Sequence, residues 1–142
     1  MSDDLVTWLR AQLDEDEVWA LGANVKQGDP DWWVSPVVGT SRYTVRSKRD
    51  NRPIARVETL DGDEGELAAI LDGGAVATHI ARHDPARVLR DVEAKRKMLD
   101  DILQALYWID GEHNTDHVAD FLRLLALPYA DREGYRPEWA AE

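Results

Sequence analysis

The chain of 142 residues contains no cysteine, so disulfides and thiolate metal sites are both excluded. Positive charge is scarce: 17 basic residues stand against 28 acidic ones, a net charge of -11. A field of that sign repels phosphate backbones and argues against nucleic acid as a general partner. Long apolar runs are missing too. None approaches the ~20 residues that a membrane helix needs, so no membrane partner is expected. The opening "MSDDLVTWLRAQLDEDE" is acidic and amphipathic. It lacks the basic start and apolar run of a secretory leader, which makes the cytoplasm the expected compartment. There is no G-x-S-x-G elbow and no glycine-rich phosphate loop. The run "DGDEGE" is too acidic to cradle an anion.

What is present points to a folded protein. Hydrophobic residues make up 44% and there are six tryptophans. The length favours a single domain over 1–142. Over 1–21, Leu5, Leu9 and Leu13 recur at i, i+4, with Val6 and Trp8 widening the stripe. That is an N-terminal helix capped by Asp3 and fading near Gly22. Residues 30–60 read as a β-hairpin or small sheet. "DWWVSPVV" reads as a strand whose proline, unable to donate to a ladder, suits an edge or a bulge. "RYTVRS" alternates, with Tyr43 and Val45 on one face and basic residues on the other. "PIARVETL" follows after a turn at Asp50-Asn51.

Residues 66–127 read as helices. "ELAAIL" is a short helix stopped at "DGG", and "AVATHIAR" is a second short one. In "HIARHDPARVLR", Asp84 is an N-cap and Pro85 the first helical residue. The helix that follows reaches about residue 109, roughly 37 Å long at 1.5 Å per residue. "HVADFLRLLAL" is a further amphipathic helix stopped by Pro128. Residues 128–142 form an aromatic tail that Tyr129, Tyr135 and Trp139 strap to the body. The fold class expected is α+β: a small antiparallel sheet of about three strands packed against a helical layer with one long helix.

"HIARHDPARVLRDVEAKRKML" and "LRLLALPYADREGYRPEW", with the opening "DDLVTWLRAQLDEDE", resemble a family of short actinobacterial and actinobacteriophage proteins. That family is a domain of unknown function. The resemblance spans most of the chain and is loosest over about 22–75. It implies a cytoplasmic accessory protein and supplies no activity. Similar proteins often carry cysteines with a histidine ahead of "LRLLA", in what looks like a small zinc-binding insert. Here that segment is "DGEHNTDHVADF", so a thiolate site is absent.

Three chemistries compete. His79 with His83, and His113 with His117, share an i, i+4 spacing that puts each pair on one helical face. If the pairs met, the four imidazoles would suit zinc, in a metal-binding protein or a metal-dependent hydrolase. The plainer reading makes His79 and His83 part of a helix junction, with His83 at a C-terminus where a cation suits the dipole. No catalytic residue and no resident cofactor follow from either reading. The acidic run 14–17 and Asp100-Asp101 read as solvated helix faces.

The hairpin 42–56 carries six basic residues and one acid. Arg42, Arg46, Arg49 and Arg52 could touch phosphates there, or simply face solvent and guard an edge. Trp32 and Trp33 are adjacent in a strand and so point to opposite faces, which leaves one ring available to anchor a partner. The leading expectation is a non-enzymatic protein-interaction module. It would bind another protein or itself as a homodimer, with Trp32, Trp33 and the basic hairpin as contacts. An acidic surface standing in for DNA phosphates is a further variant of the same idea.

Overall fold

A computed structural model describes residues 2–27, 30–37, 42–58, 73–108 and 115–140. Four helices and three strands are found among them: α1 (Ser2–Gln27), β1 (Trp32–Pro36), β2 (Arg42–Ser47), β3 (Pro53–Glu58), α2 (Gly73–Arg82), α3 (Pro85–Trp108) and α4 (Thr115–Ala126). Single 3-10 turns follow at Leu127–Tyr129 and Pro137–Trp139. The fold class is α+β, as the patterning predicts. The residues group into two compact units, Met1–Val18 with Arg90–Glu142, and Trp19–Leu89.

In the second unit the three strands form one antiparallel sheet in the order β1-β2-β3. Trp32 pairs with Ser47 and Pro36 with Tyr43, while Tyr43 also pairs with Val57. This register puts Trp32, Val34, Tyr43, Val45 and Val57 on one face, because side chains alternate along a strand. Helix α2 covers that face: Val45, Ala77 and Ala81 are its buried centre, with Trp32, Val34, Ile54 and Ile80 packed around them. Pro36 closes the edge strand, where its missing N–H costs no ladder bond. The other face of β2 is not fully solvated. Thr44 is buried there between Arg42 and Arg46 and opposite Arg56. The apolar stems of the arginines can cover it while their heads stay wet.

In the first unit the expected stripe of α1 is buried at Leu5, Leu9 and Leu13. Val92 and Leu99 of α3, Leu122 and Ala126 of α4, and Tyr129 and Trp139 of the tail are buried in the same unit. The tail is strapped down by aromatic packing. Trp8 meets Trp139 at 5.4 Å and Tyr135 at 5.6 Å between ring centroids. Its indole N–H donates to the Glu133 carbonyl at 3.1 Å.

Three boundaries differ from those the patterning predicts. Helix α1 does not fade near Gly22 but runs to Gln27. A lone glycine costs a helix about 1 kcal/mol, which is too little to stop it against well-formed turns on either side. Asp3 lies inside the first turn of α1 and does not cap it, although its charge still suits that end. Gly73 and Gly74 open α2 instead of ending a preceding helix. The "ELAAIL" helix and the "DGDEGE" loop lie outside the described residues.

Candidate functional site

The stretch "HIARHDPARVLR" folds as the helix junction that its chemistry suggests. Helix α2 ends at Arg82 and α3 begins at Pro85. The buried Asp84 carboxylate accepts from the Arg87 peptide N–H at 2.8 Å, an N-cap bond. Its second oxygen accepts from the Trp32 peptide N–H at 3.1 Å. One side chain therefore caps α3 and also holds the start of the edge strand. The Ala86 N–H, donating to the Pro30 carbonyl at 3.1 Å, adds a second tie between the same segments.

His83 closes the end of α2. Its peptide N–H donates to the His79 carbonyl at 3.2 Å, and its ring Nδ1 lies 2.8 Å from the same oxygen. The carbonyl can only accept, so the proton sits on Nδ1 and Nε2 is left for other partners. The two imidazoles lie 4.2 Å apart between centroids, tilted by 36°. His79 and His83 are thus brought together as the spacing predicts. His117 sits exposed on α4 in the other unit, and His113 lies outside the described residues. Among the described residues no group of three or more His, Cys, Asp or Glu is arranged to hold a metal ion.

A cavity of about 660 Å³ opens beside this junction. His79, His83, Arg82 and Arg87 line it, facing Val34 and Tyr43 of the sheet. The Arg87 guanidinium donates to the Arg82 carbonyl at 3.2 Å. Of the tryptophans singled out in the sequence, Trp32 belongs to the core beneath α2, and Trp33 stands on the opposite sheet face at 38% exposure. Trp33 pairs across the ladder with Arg46. Arg42 is ion-paired to Glu58 at 3.1 Å, and Arg46 donates to the Asn51 carbonyl at 2.9 Å. Arg52 pairs with Asp50 at 3.0 Å in the turn, where Arg49 is also exposed. Much of the hairpin's charge is thereby engaged locally.

The first unit carries a feature that the patterning alone does not announce. Met98, Asp101 and Ile102 of α3 face Phe121, Leu124 and Leu125 of α4 across a groove of about 400 Å³. Both triplets have i, i+3, i+4 spacing, so each is one helical face. Phe121 is 56% exposed, Leu124 54% and Met98 53%. The signal lies in "FLRLLAL", which holds more apolar residues than a single buried stripe uses. Leu122 and Ala126 already fill the core-facing stripe.

The acidic run 14–17 is also more than a solvated face. Arg96 of α3 donates to Asp14 at 2.6 Å and to Glu17 at 2.8 Å. That bond holds the Glu17 carboxyl below its ordinary value. Arg132 of the tail reaches Asp16 at 2.5 Å. Tyr129 accepts from Lys95 at 3.0 Å, and burial, helped by the charge of Asp16, pushes its phenol well above the ordinary tyrosine value.

An α+β chain with a three-stranded sheet in one unit and a helical groove in the other is the class that the geometry defines. The chain belongs to the family of unknown function DUF6221, whose model matches residues 2–141. No curated protein matches it, and no solved structure does. Among the described residues no helix is long and apolar enough to cross a membrane.

Proposed function

We propose that this protein is a non-enzymatic interaction module whose first unit seats a basic amphipathic helix of another protein. The observation that carries the reading is the α3–α4 groove, with Phe121, Leu124 and Met98 each about half exposed along it. Soluble proteins seldom leave large apolar side chains clustered in this way without a use. Covering the exposed half of each side chain would contribute about 1 kcal/mol apiece. A helix laid into the groove would present its own i, i+3, i+4, i+7 anchors to these residues.

Charge selects the partner. Residues 1–18 and 90–142 hold eight basic and eighteen acidic residues, whereas 19–89 hold nine and ten. Nearly all of the net charge of -11 therefore belongs to the unit that bears the groove. Asp101 is in the groove lining, and among the described residues no base lines it. Complementary charge speeds encounter and rejects wrong partners, so a basic helix fits best. A second copy would bring acid against acid, which disfavours self-pairing through this face. The resemblance noted in the sequence supports an accessory role in an actinobacterial or actinophage setting.

The chain supplies its own probes, because Phe121 is its single phenylalanine and Met98 its one methionine besides Met1. Titration with a synthetic helix of leucines and lysines at helical spacing should shift the Met98 methyl resonance saturably. Phe121→Asp with Leu124→Asp, both at exposed positions, should weaken binding at least about tenfold. Equal binding by an acidic helix with the same apolar face would contradict the charge argument. An unshifted Met98 methyl would contradict the groove.

A further inference from the structure

The cavity at the α2–α3 junction lies in the other unit, and its chemistry is independent of the groove and of the interaction reading. Two guanidinium groups, Arg82 and Arg87, and two imidazoles, His79 and His83, line this cavity, and among the described residues no carboxylate does. That is an unusual composition in a chain with 28 acids. Asp84 stands beside His83 in sequence but does not line the cavity. Both of its oxygens accept from peptide N–H groups, at Arg87 and at Trp32. Among the described residues Arg82 has no ion-pair partner.

The sheet contributes Val34, Pro36 and Tyr43 to the lining, so the cavity also has an apolar and aromatic side. The volume of about 660 Å³ is within the range of small-molecule sites, roughly 300–1,000 Å³. Guanidinium groups match phosphate oxygens in pairs. The His83 Nε2, left free by the bond from Nδ1 to the His79 carbonyl, can accept from a phosphate O–H or, once protonated, donate to a phosphate oxygen. Thr78, also in the lining, adds a hydroxyl-bearing side chain. We infer that this cavity binds a phosphate monoester with a flat apolar body, of the size and chemistry of a nucleoside monophosphate. The phosphate would sit against Arg82, His79 and His83, and the apolar body would lie toward Tyr43 and Val34.

The test uses the full chain and four probes: AMP, GMP, inorganic phosphate and adenosine. Binding would be read by calorimetry and by the imidazole resonances of His79 and His83. The mononucleotides should bind saturably and move both sets of resonances. Inorganic phosphate should bind more weakly, and adenosine should leave the resonances in place. Arg82→Ala, at an exposed helical position, should weaken mononucleotide binding about tenfold with the melting temperature held. Lys97→Ala removes the same charge outside the cavity and should not change the affinity. Equal weakening by Lys97→Ala would overturn the site in favour of diffuse attraction. Equal affinity for inorganic phosphate and AMP would overturn the assignment of an apolar body. No binding of any phosphate would overturn the inference outright.

Discussion

Asp84 shows how much one side chain can carry. As a cap alone, its loss would cost about 1 kcal/mol. The second oxygen raises the stake, because Asp84→Ala also strands the Trp32 peptide N–H at the base of the sheet. We expect Asp84→Ala to cost about 2 kcal/mol in chemical denaturation. Asp84→Asn should fall between the wild type and Asp84→Ala, since an amide keeps one acceptor. Equal loss for both substitutions would mean that charge, not the pair of hydrogen bonds, is what matters. Two glycines make the opposite point about backbone. Gly134 has a φ of 83°, and a Cβ there would come within 2.9 Å of the Trp8 indole nitrogen. Gly134→Ala should therefore destabilise by more than about 1 kcal/mol. Gly22 is in open space within α1, so Gly22→Ala should stabilise by about 0.5–1 kcal/mol. Thermal unfolding of the two variants, shifting in opposite directions, is the check.

At the scale of elements, the legible parts are those with strong local chemistry. Asp84-Pro85 marks the start of α3, and the alternation of "RYTVRS" marks β2. Pro36 marks an edge. Non-local ion pairs leave no such trace. Nothing near residues 14–17 announces that Arg96 and Arg132, more than 70 residues away in sequence, will reach them. The same holds for the groove: apolar excess in "FLRLLAL" is visible, but not which face meets α3. The histidine pairs illustrate a different limit. Spacing places His79 beside His83, yet it cannot say that one ring is spent on capping α2.

The Glu17–Arg96 bond has a pH signature. Because Arg96 donates to it, the folded Glu17 carboxyl is held below its unfolded value. Its contribution is present above the ordinary glutamate value of about 4.3 and fades as pH falls through the lower, folded value. The melting temperature of the wild type should therefore exceed that of Glu17→Gln near neutrality, with the gap closing in acid. A gap that widened in acid would contradict the sign. The pair is about a third exposed and so partly screened by salt, and the effect should also shrink at high ionic strength.

At the scale of the molecule, charge and apolar surface are divided unevenly. Among the described residues, the acidic unit bears an exposed apolar groove and the near-neutral unit a cavity lined by arginine and histidine. Total charge alone obscures this division, and it is total charge that weighs against phosphate ligands in the sequence. A net value of -11 describes the whole chain but not the cavity lined by Arg82 and Arg87.

The most direct test of the interaction reading is a photo-crosslinking residue placed at position 121 in the native cell, with the same residue at 97 as the comparison. The groove predicts one discrete adduct at 121, absent at 97, joining the chain to a protein through a basic amphipathic helix. Adducts only between copies of this chain, or the same pattern at both positions, would contradict it.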